Sequence, residues 1–220
     1  MPSKKSEVKC SVSMPDGQKH DFVVLRHTTA ADLRQRVLQR LELHAEEAYF
    51  GMYLLDTFPT QWLNLEDKLH GQVPKTPTVE IEFGAKYYPS GPAKMVHEQT
   101  KYLFFHQLMD DMRTHRLMCP PQPTKELCAL AVQTLLGDYD PAEHKPGYMS
   151  QILLDMGQAE IPEPEIQALH QMLLGREPLE AENEFLRLAA AQNRYGNEFF
   201  PVVMNKERNR HRSVGVGEAG

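Results

Sequence analysis

The sequence predicts an α+β protein in which a sheet-forming part and a helix-forming part follow each other along the chain. Through residues 1–88, apolar side chains alternate with polar ones in short runs, as strands require. Through residues 93–196 the apolar side chains instead recur at helical spacing. After residue 197, residues 198–204 and 213–216 read as two strands joined by a polar turn. We therefore expect two lobes, 1–88 and 93–196, followed at 197–220 by the incomplete start of a third.

The first lobe is predicted to open with a β-hairpin. Val8–Met14 and His20–Leu25 both alternate and are rich in β-branched residues. Between them lies Pro15-Asp16-Gly17, in which Pro presets its own φ and Gly accepts a positive φ. These features predict two antiparallel strands joined by a tight turn.

A single helix and two further strands follow the hairpin. Thr28 or Thr29 offers a helix N-cap, and four apolar residues recur behind it at helical spacing: Leu33, Val37, Leu38 and Leu41. Strands are predicted at 49–55 and 78–87, with a short extended segment at 61–64 between them. This order, with one helix crossing four strands, is the β-grasp layout of ubiquitin.

Four helices are predicted in the second lobe. The first carries an apolar stripe of Met95, Tyr102, Phe105, Leu108, Met109 and Met112. A proline-rich break at 119–124 precedes the second helix, for which Thr124 is the predicted cap. The third ends at Gly175, and the fourth runs from Pro178 toward Tyr195-Gly196. Stripes of methionine and aromatic residues pack in cores, so we expect these faces inside the lobe.

The connection 137–148 has an unusual composition, with two Gly, two Pro, two Tyr, two Asp and one His in twelve positions. It is too aromatic for a solvated linker and too rich in turn residues for a helix. Asp138 and Asp140 raise the possibility of paired carboxylates, but no third acidic residue has the spacing of an EF-hand. We expect an ordered connection in which Asp138 and His144 bind backbone groups and both tyrosines pack beneath.

Short motifs occur in both lobes in a fixed order. The first lobe contains Tyr49-Phe50-Gly51-Met52 and Trp62-Leu63-Asn64-Leu65. The second contains Leu103-Phe104-Phe105, Leu117-x-Cys119-Pro120, Gly137-Asp138-Tyr139, His144-Lys145-x-Gly147-Tyr148 and Tyr195-Gly196. Together they resemble the FERM domain, the adaptor module of ezrin, radixin, moesin and a class of non-receptor tyrosine phosphatases. Residues 160–184 depart from the ezrin pattern and look more like the phosphatase-type domains.

The resemblance implies a ubiquitin-like first lobe, an all-α second lobe like acyl-CoA-binding proteins, and the opening β-hairpin of a pleckstrin-homology-like third lobe. It implies a non-catalytic adaptor, without a cofactor, that binds cytoplasmic tails of membrane proteins, cytoskeletal proteins and phosphoinositides. Such an adaptor is cytoplasmic and peripheral at the plasma membrane or cell cortex. Two alternatives stay open: a targeting module of a larger non-receptor tyrosine phosphatase, and an acyl-lipid carrier.

Three basic residues are candidates for contact with lipid. In ezrin-like proteins, lysines after the Trp-Leu motif help to bind phosphatidylinositol bisphosphate. Here only Lys68 keeps a basic residue, because Asn64 and Asp67 occupy positions that are lysine in that pattern. Arg208 and Arg210 belong to a dense basic run at 206–212, for which a solvated hairpin turn is the alternative interpretation.

Charge and motif content argue against several other functions. The net charge of −6 disfavours a nucleic-acid partner, which usually needs a basic face. Three cysteines without Cys-x-x-Cys spacing favour a reducing compartment over disulfides or zinc. Neither His-Glu-x-x-His nor Gly-x-Ser-x-Gly occurs, and the glycine motif at 215–220 has no helix after it. We therefore predict no catalytic residue and no metal ligand.

Overall fold

The computed structural model describes residues 7–197 except for positions 44, 56, 58 and 59. Its first part is a five-stranded sheet in the order β2-β1-β5-β3-β4. The strands are β1 Glu7–Ser13, β2 Lys19–Leu25, β3 Phe50–Leu54, β4 Gln61–Trp62 and β5 Thr78–Ala85. Strands β1 and β5 pair in parallel, and the other neighbours pair in antiparallel fashion. With the helix described next, this sheet forms the β lobe and confirms the predicted β-grasp order.

Helix α1, Ala30–Arg40, buries its apolar face and starts at a complete capping box. The Asp32 backbone N–H donates to the Thr29 hydroxyl, and the Thr29 N–H donates to the Asp32 carboxylate, both at 3.1 Å. These bonds provide acceptors for two backbone N–H groups that have no partner within the first turn of the helix. Of the two candidate caps, Thr29 is therefore the N-cap, whereas the Thr28 hydroxyl accepts from the Leu25 N–H.

The second part of the chain is a bundle of five helices, called here the helical lobe. They are α2 Glu98–Arg113, α3 Pro121–Leu136, α4 Ser150–Asp155, α5 Glu163–Gln171 and α6 Pro178–Ala190. Helix α3 packs against both α5 and α6, and α6 also packs against α2. Phe105 and Phe185 meet edge to face at 4.8 Å between ring centroids, and both are fully buried. Four residues of the predicted stripe are buried on α2, namely Phe105, Leu108, Met109 and Met112. Tyr102 is only half-buried, and Met95 is buried but precedes the helix.

Two sequence expectations for the helical lobe are wrong. Helix α3 starts at Pro121 rather than after Thr124, because proline needs no N–H partner in a first helical turn. The Thr124 hydroxyl instead donates back to the Pro120 carbonyl at 2.9 Å from inside the helix. Helix α4 was not predicted, because six residues are too few to display a helical period.

The predicted third-lobe hairpin, with Arg208 and Arg210, lies outside the described residues. Among the residues that the structure does describe, no helix is long and apolar enough to cross a membrane.

Cys10, Cys119 and Cys128 are free thiols, and the first and last of them are fully buried. Trp62 is the chain's single tryptophan, and it packs edge to face on Tyr53 at 4.9 Å.

Candidate binding surfaces and the junction between the lobes

An aromatic cluster joins the two lobes. Phe104 projects from α2 and is fully buried, although the neighbouring Phe105 faces the helical core. Around Phe104 lie Tyr49, Phe50 and Tyr88, with ring centroids 5.9, 5.5 and 5.5 Å away. The pairs with Tyr49 and Tyr88 are edge to face and the pair with Phe50 is tilted, and such aromatic contacts add to the hydrophobic gain from burial. One side chain of α2 is therefore part of the core of the β lobe.

A buried polar network lies beside the aromatic cluster. The Gln107 side-chain carbonyl accepts from the Ala85 N–H at 3.1 Å, and its amide donates to Asp111 at 3.2 Å. The Tyr88 hydroxyl donates to Asp111 at 2.6 Å, and Arg116 Nε lies 3.0 Å from the same carboxylate. Burial raises the pKa of Asp111, while Arg116 and the two hydrogen bonds oppose that rise.

Glycine permits the close approach that this network needs. A Cβ on Gly84 of β5 would lie 2.6 Å from the Gln107 side-chain oxygen, closer than nonbonded atoms tolerate. A larger residue here would displace the Gln107 side chain, so glycine favours the Gln107–Ala85 hydrogen bond that links the strand to α2.

Glu46 makes a third link between the lobes. Its carboxylate accepts from the Val96 and His97 N–H groups, at 2.7 and 3.1 Å, directly before α2 begins. Burial opposes ionisation of Glu46, but these N–H donors outweigh it and lower its pKa. A carboxylate at a helix N-terminus also complements the helix dipole. Together with Phe104 and Gln107, this contact fixes the surfaces of the two lobes relative to each other.

The 137–148 connection is ordered by a histidine that the sequence analysis did not single out. His170 of α5 is fully buried, with Nε2 at 2.8 Å from the Gly137 carbonyl and Nδ1 at 2.9 Å from the Tyr148 hydroxyl. Because the carbonyl can only accept, Nε2 carries the proton and the Tyr148 hydroxyl donates to Nδ1. Burial lowers the pKa of His170, which favours this neutral form.

The predicted roles within the connection are confirmed. The Asp138 carboxylate accepts from the Gln133 amide and the Gly175 N–H, at 2.8 and 2.9 Å. His144 Nδ1 accepts from the Asp140 N–H at 3.0 Å. Tyr148 is half-buried and stacks on His144. The connection is therefore a structural strap, with its polar side chains occupied in holding the backbone.

Lys68, the predicted lipid-contacting residue of the β lobe, is exposed on a segment that is bound to α1. The Ala30 N–H donates to the Asp67 carbonyl, and the Leu69 N–H donates to the Thr28 carbonyl. A hollow of about 430 Å³ beside Lys68 is also lined by Glu66 and Asp67. These carboxylates offset the charge of Lys68. The surface is therefore less favourable for an anion than it would be with lysine at positions 64, 67 and 68.

A groove on the helical lobe has a volume of about 720 Å³. We call it the Cys119 groove. It is lined by apolar residues from α2, α4 and the segments that follow them, which are Met112, Leu117, Met118, Leu154 and Ile161. Met118 and Leu154 are 51% and 57% exposed, and an ion pair between Lys125 and Glu165 lies at one side. The groove therefore offers apolar contact area that the described chain leaves open to solvent.

Glu182 is a buried acid in α6, close to Lys101 and Glu98 of α2. Its Oε1 oxygen is buried and has no hydrogen-bond donor among the described residues. Burial raises the pKa of Glu182 to about 7, since Lys101 only partly offsets the lost hydration. The carboxyl group is therefore protonated in the folded protein over most of the acidic range.

This raised pKa makes the helical lobe less stable as pH increases. The pKa of Glu182 in the folded protein lies above the ordinary value of 4.5. Its protonation therefore stabilises the folded state fully below pH 4.5, and this stabilisation is lost as pH rises through about 7. We expect about 2 kcal/mol of the unfolding free energy to disappear between pH 5 and pH 8, allowing for partial solvation. Urea titrations of Glu182→Gln should lack this decrease, whereas the exposed control Glu180→Gln should keep it. Equal pH profiles for both variants would contradict the assignment.

The fold and the junction define a two-lobe module, in which a β-grasp lobe packs against a helical bundle through the buried contacts of Phe104 and Gln107. Comparison with known proteins identifies the family to which this module belongs. The profile of the FERM central domain matches residues 90–200, and that of the FERM N-terminal domain matches residues 12–75. The chain belongs to the FERM family, as its motifs indicated.

Relatives of the chain are considerably longer than it is. Human tyrosine-protein phosphatase non-receptor type 4 is 33% identical over 217 residues, covering 98% of this chain and 23% of that protein. Human band 4.1-like protein 4A is 34% identical over 205 residues, covering 89% of this chain and 30% of that protein. Among solved structures, the complex of the FERM and C-terminal domains of Drosophila Merlin matches with a TM-score of 0.73 at 24% identity. That match covers 84% of this chain and 65% of the other.

Proposed function

We propose that this chain is a non-catalytic adaptor module that links cytoplasmic tails of membrane proteins to the cortical cytoskeleton. The observation that carries the proposal is the joining of FERM N-terminal and central domains through the buried Phe104 and Gln107 contacts. A rigid pair of lobes can hold two partners at a fixed separation, which is what an adaptor requires. We also propose lobe boundaries of 1–88 and 93–196, with a third lobe beginning at 197–220.

Localisation in cells tests the adaptor function. The fluorescently tagged chain, expressed in epithelial cells, should be enriched at the cell cortex relative to the cytosol. Its membrane-bound fraction should survive a salt wash that removes loosely attached proteins. The tag alone is the matched control. An even cytosolic distribution of the folded chain would contradict the proposal.

A targeting role within a larger phosphatase is the second candidate. It is supported by the 33% identity to the human non-receptor phosphatase, of which the matched part is the FERM region. In this case the chain would bring a catalytic domain to the membrane. Sequencing of full transcripts distinguishes the two, because a downstream Cys-x-x-x-x-x-Arg loop is required for the phosphatase role. The acyl-lipid carrier stays a prediction, which native mass spectrometry after gentle purification would check.

We propose a minor phosphoinositide contact at Lys68. One lysine near an anionic membrane contributes about 1 kcal/mol, which corresponds to roughly a fivefold change in affinity. Binding of Lys68→Gln to vesicles of phosphatidylcholine with phosphatidylinositol bisphosphate should therefore fall about fivefold. The exposed Lys75, on the same lobe, provides the matched control variant Lys75→Gln. Unchanged flotation of the Lys68 variant would remove this residue from the lipid surface.

A further inference from the structure

Exposed apolar side chains gather at the end of the helical lobe where α3 and α5 finish and α6 begins. The described residues include eleven large hydrophobic side chains that are exposed, and five of them belong to this end of the lobe. We call these five the Leu174 patch: Leu135, Leu136, Met172, Leu174 and Leu179. Met172 and Leu174 are 79% and 69% exposed, which is more than either Met118 or Leu154 in the Cys119 groove.

A buried glutamine holds the parts of the Leu174 patch together. Gln133 of α3 is fully buried, and its side-chain amide donates to the Arg176 carbonyl at 2.6 Å and to the Asp138 carboxylate at 2.8 Å. That carboxylate also accepts from the Gly175 N–H at 2.9 Å. Every member of the patch lies within three residues of one of these four bonded residues. The end of α3, the turn after α5 and the start of α6 are therefore fixed beside one another.

The backbone of the exposed turn favours a helical partner over an extended one. The N–H groups of Met172, Leu174 and Arg176 each donate to a carbonyl three residues earlier, and the Gly175 N–H donates to Asp138. An extended peptide relies on hydrogen bonds to a strand edge, which this described turn does not provide. A helix satisfies its own backbone groups and can present a continuous apolar stripe. The occupant that fits is therefore an amphipathic helix.

The charge around the patch is acidic. Residues 133–138 and 172–180 contain three acidic side chains, Asp138, Glu177 and Glu180, and all three are exposed. The one basic side chain in these two ranges is Arg176. It lies close to Glu184, whose pKa is lowered by a hydrogen bond from Arg187 and further by the charge of Arg176, so this charge is partly compensated. The surface therefore attracts a basic partner and disfavours an anionic membrane.

We propose that the Leu174 patch binds an amphipathic helix of a partner protein, with large apolar side chains on one face and lysine or arginine beside them. The apolar face packs on Met172 and Leu174, and the basic residues lie near Glu177 and Glu180. This inference goes beyond the adaptor function, because the purified chain should bind such a helix whether or not it is enriched at the cell cortex.

A model peptide of leucine and lysine tests the proposal. The fluorescein-labelled peptide carries its leucines at helical spacing, and fluorescence anisotropy with the purified full chain should show saturable binding that weakens as salt concentration rises. A peptide of the same composition in which leucine and lysine alternate has no apolar helical face and should bind much more weakly. A helical-spacing peptide of leucine and glutamate should also bind weakly, because its charge is repelled by the acidic surround.

Substitutions within the patch locate the site. Met172→Ser/Leu174→Ser should weaken binding of the leucine–lysine peptide about tenfold, since it removes the most exposed apolar contacts. The matched control Met118→Ser/Leu154→Ser removes the same two residue types from the Cys119 groove and should leave the affinity unchanged. All four side chains are exposed, so both variants should fold, and circular dichroism verifies this.

The contribution of charge is measured separately. Glu177→Gln/Glu180→Gln leaves the apolar side chains in place and removes two exposed carboxylates. This variant should bind the leucine–lysine peptide a few-fold more weakly and with a smaller dependence on salt.

Four outcomes would overturn the proposal. Equal affinities of the parent chain and the Met172/Leu174 variant would show that the patch is not the binding site. Equal binding of the alternating peptide would show that the partner need not be helical. Self-association of the parent chain in sedimentation, abolished in the Met172/Leu174 variant, would assign the patch to a second copy. Flotation of the parent chain with phosphatidylcholine vesicles, lost in that variant, would assign it to a membrane.

Discussion

Substitution of Phe104 by alanine should lower the unfolding free energy by about 3–5 kcal/mol and separate the unfolding of the two lobes. The side chain is fully buried and contacts the rings of Phe50 in β3 and Tyr88 after β5, so its removal leaves a cavity at the junction. Trp62 fluorescence follows the β lobe, and helical circular dichroism follows mainly the helical lobe. In Phe104→Ala these two signals should report different midpoints in urea.

The neighbouring Phe105 provides a matched control for this result. It has the same size and burial and sits on the same helix, but its ring contacts Phe185 within the helical lobe. Phe105→Ala should therefore cost a similar free energy while shifting chiefly the helical signal. Coincident transitions in both variants would show that Phe104 does not couple the lobes.

Substitution of Asp111 by alanine should be equally damaging, with an expected loss of about 3–5 kcal/mol. The change removes the acceptor for Tyr88 and Gln107 and leaves the partly buried Arg116 with one carboxylate, that of Asp110, in place of two. Buried polar groups without partners are costly because they have lost water and gained nothing in return. Thermal unfolding followed by circular dichroism measures the effect.

Asp110 is the natural control, since it is adjacent and also carries a carboxylate. It is more exposed, and it pairs with Arg113 and Arg116 near the surface. Surface pairs contribute about 0–1 kcal/mol, so Asp110→Ala should be nearly neutral. A loss of the same size in both variants would mean that charge on this turn matters more than the buried network.

Local signals explain which parts of the fold were predictable. The hairpin and the start of α1 follow from turn and cap chemistry that acts over a few residues, as at Gly17 and Thr29. The proline-rich start of α3 was misassigned because prolines that break a helix interior are compatible with its first turn. The N-cap position predicted for Thr124 is therefore occupied by Pro120, four residues earlier.

The junction was less accessible to sequence reasoning because its contacts join distant positions. Gln107 and Asp111 resemble an ordinary polar face of α2 until β5 is placed against them, 22 residues away in the case of Gln107. His170 similarly meets Gly137 across 33 residues. Glu182 gave no signal either, because a single acid on an amphipathic helix is usually solvated. The motifs indicated the family, but only three-dimensional proximity reveals which polar residues are buried.

The adjacent rings on α2 have a consequence for how this region can evolve. Each residue advances an α-helix by about 100°, and Phe104 and Phe105 use that single step to enter two different cores. An insertion or deletion of one residue ahead of them would turn both rings away from their sites at once. Helix α2 should therefore accept many substitutions on its exposed face but no change in length, and homologous chains should align through it without gaps.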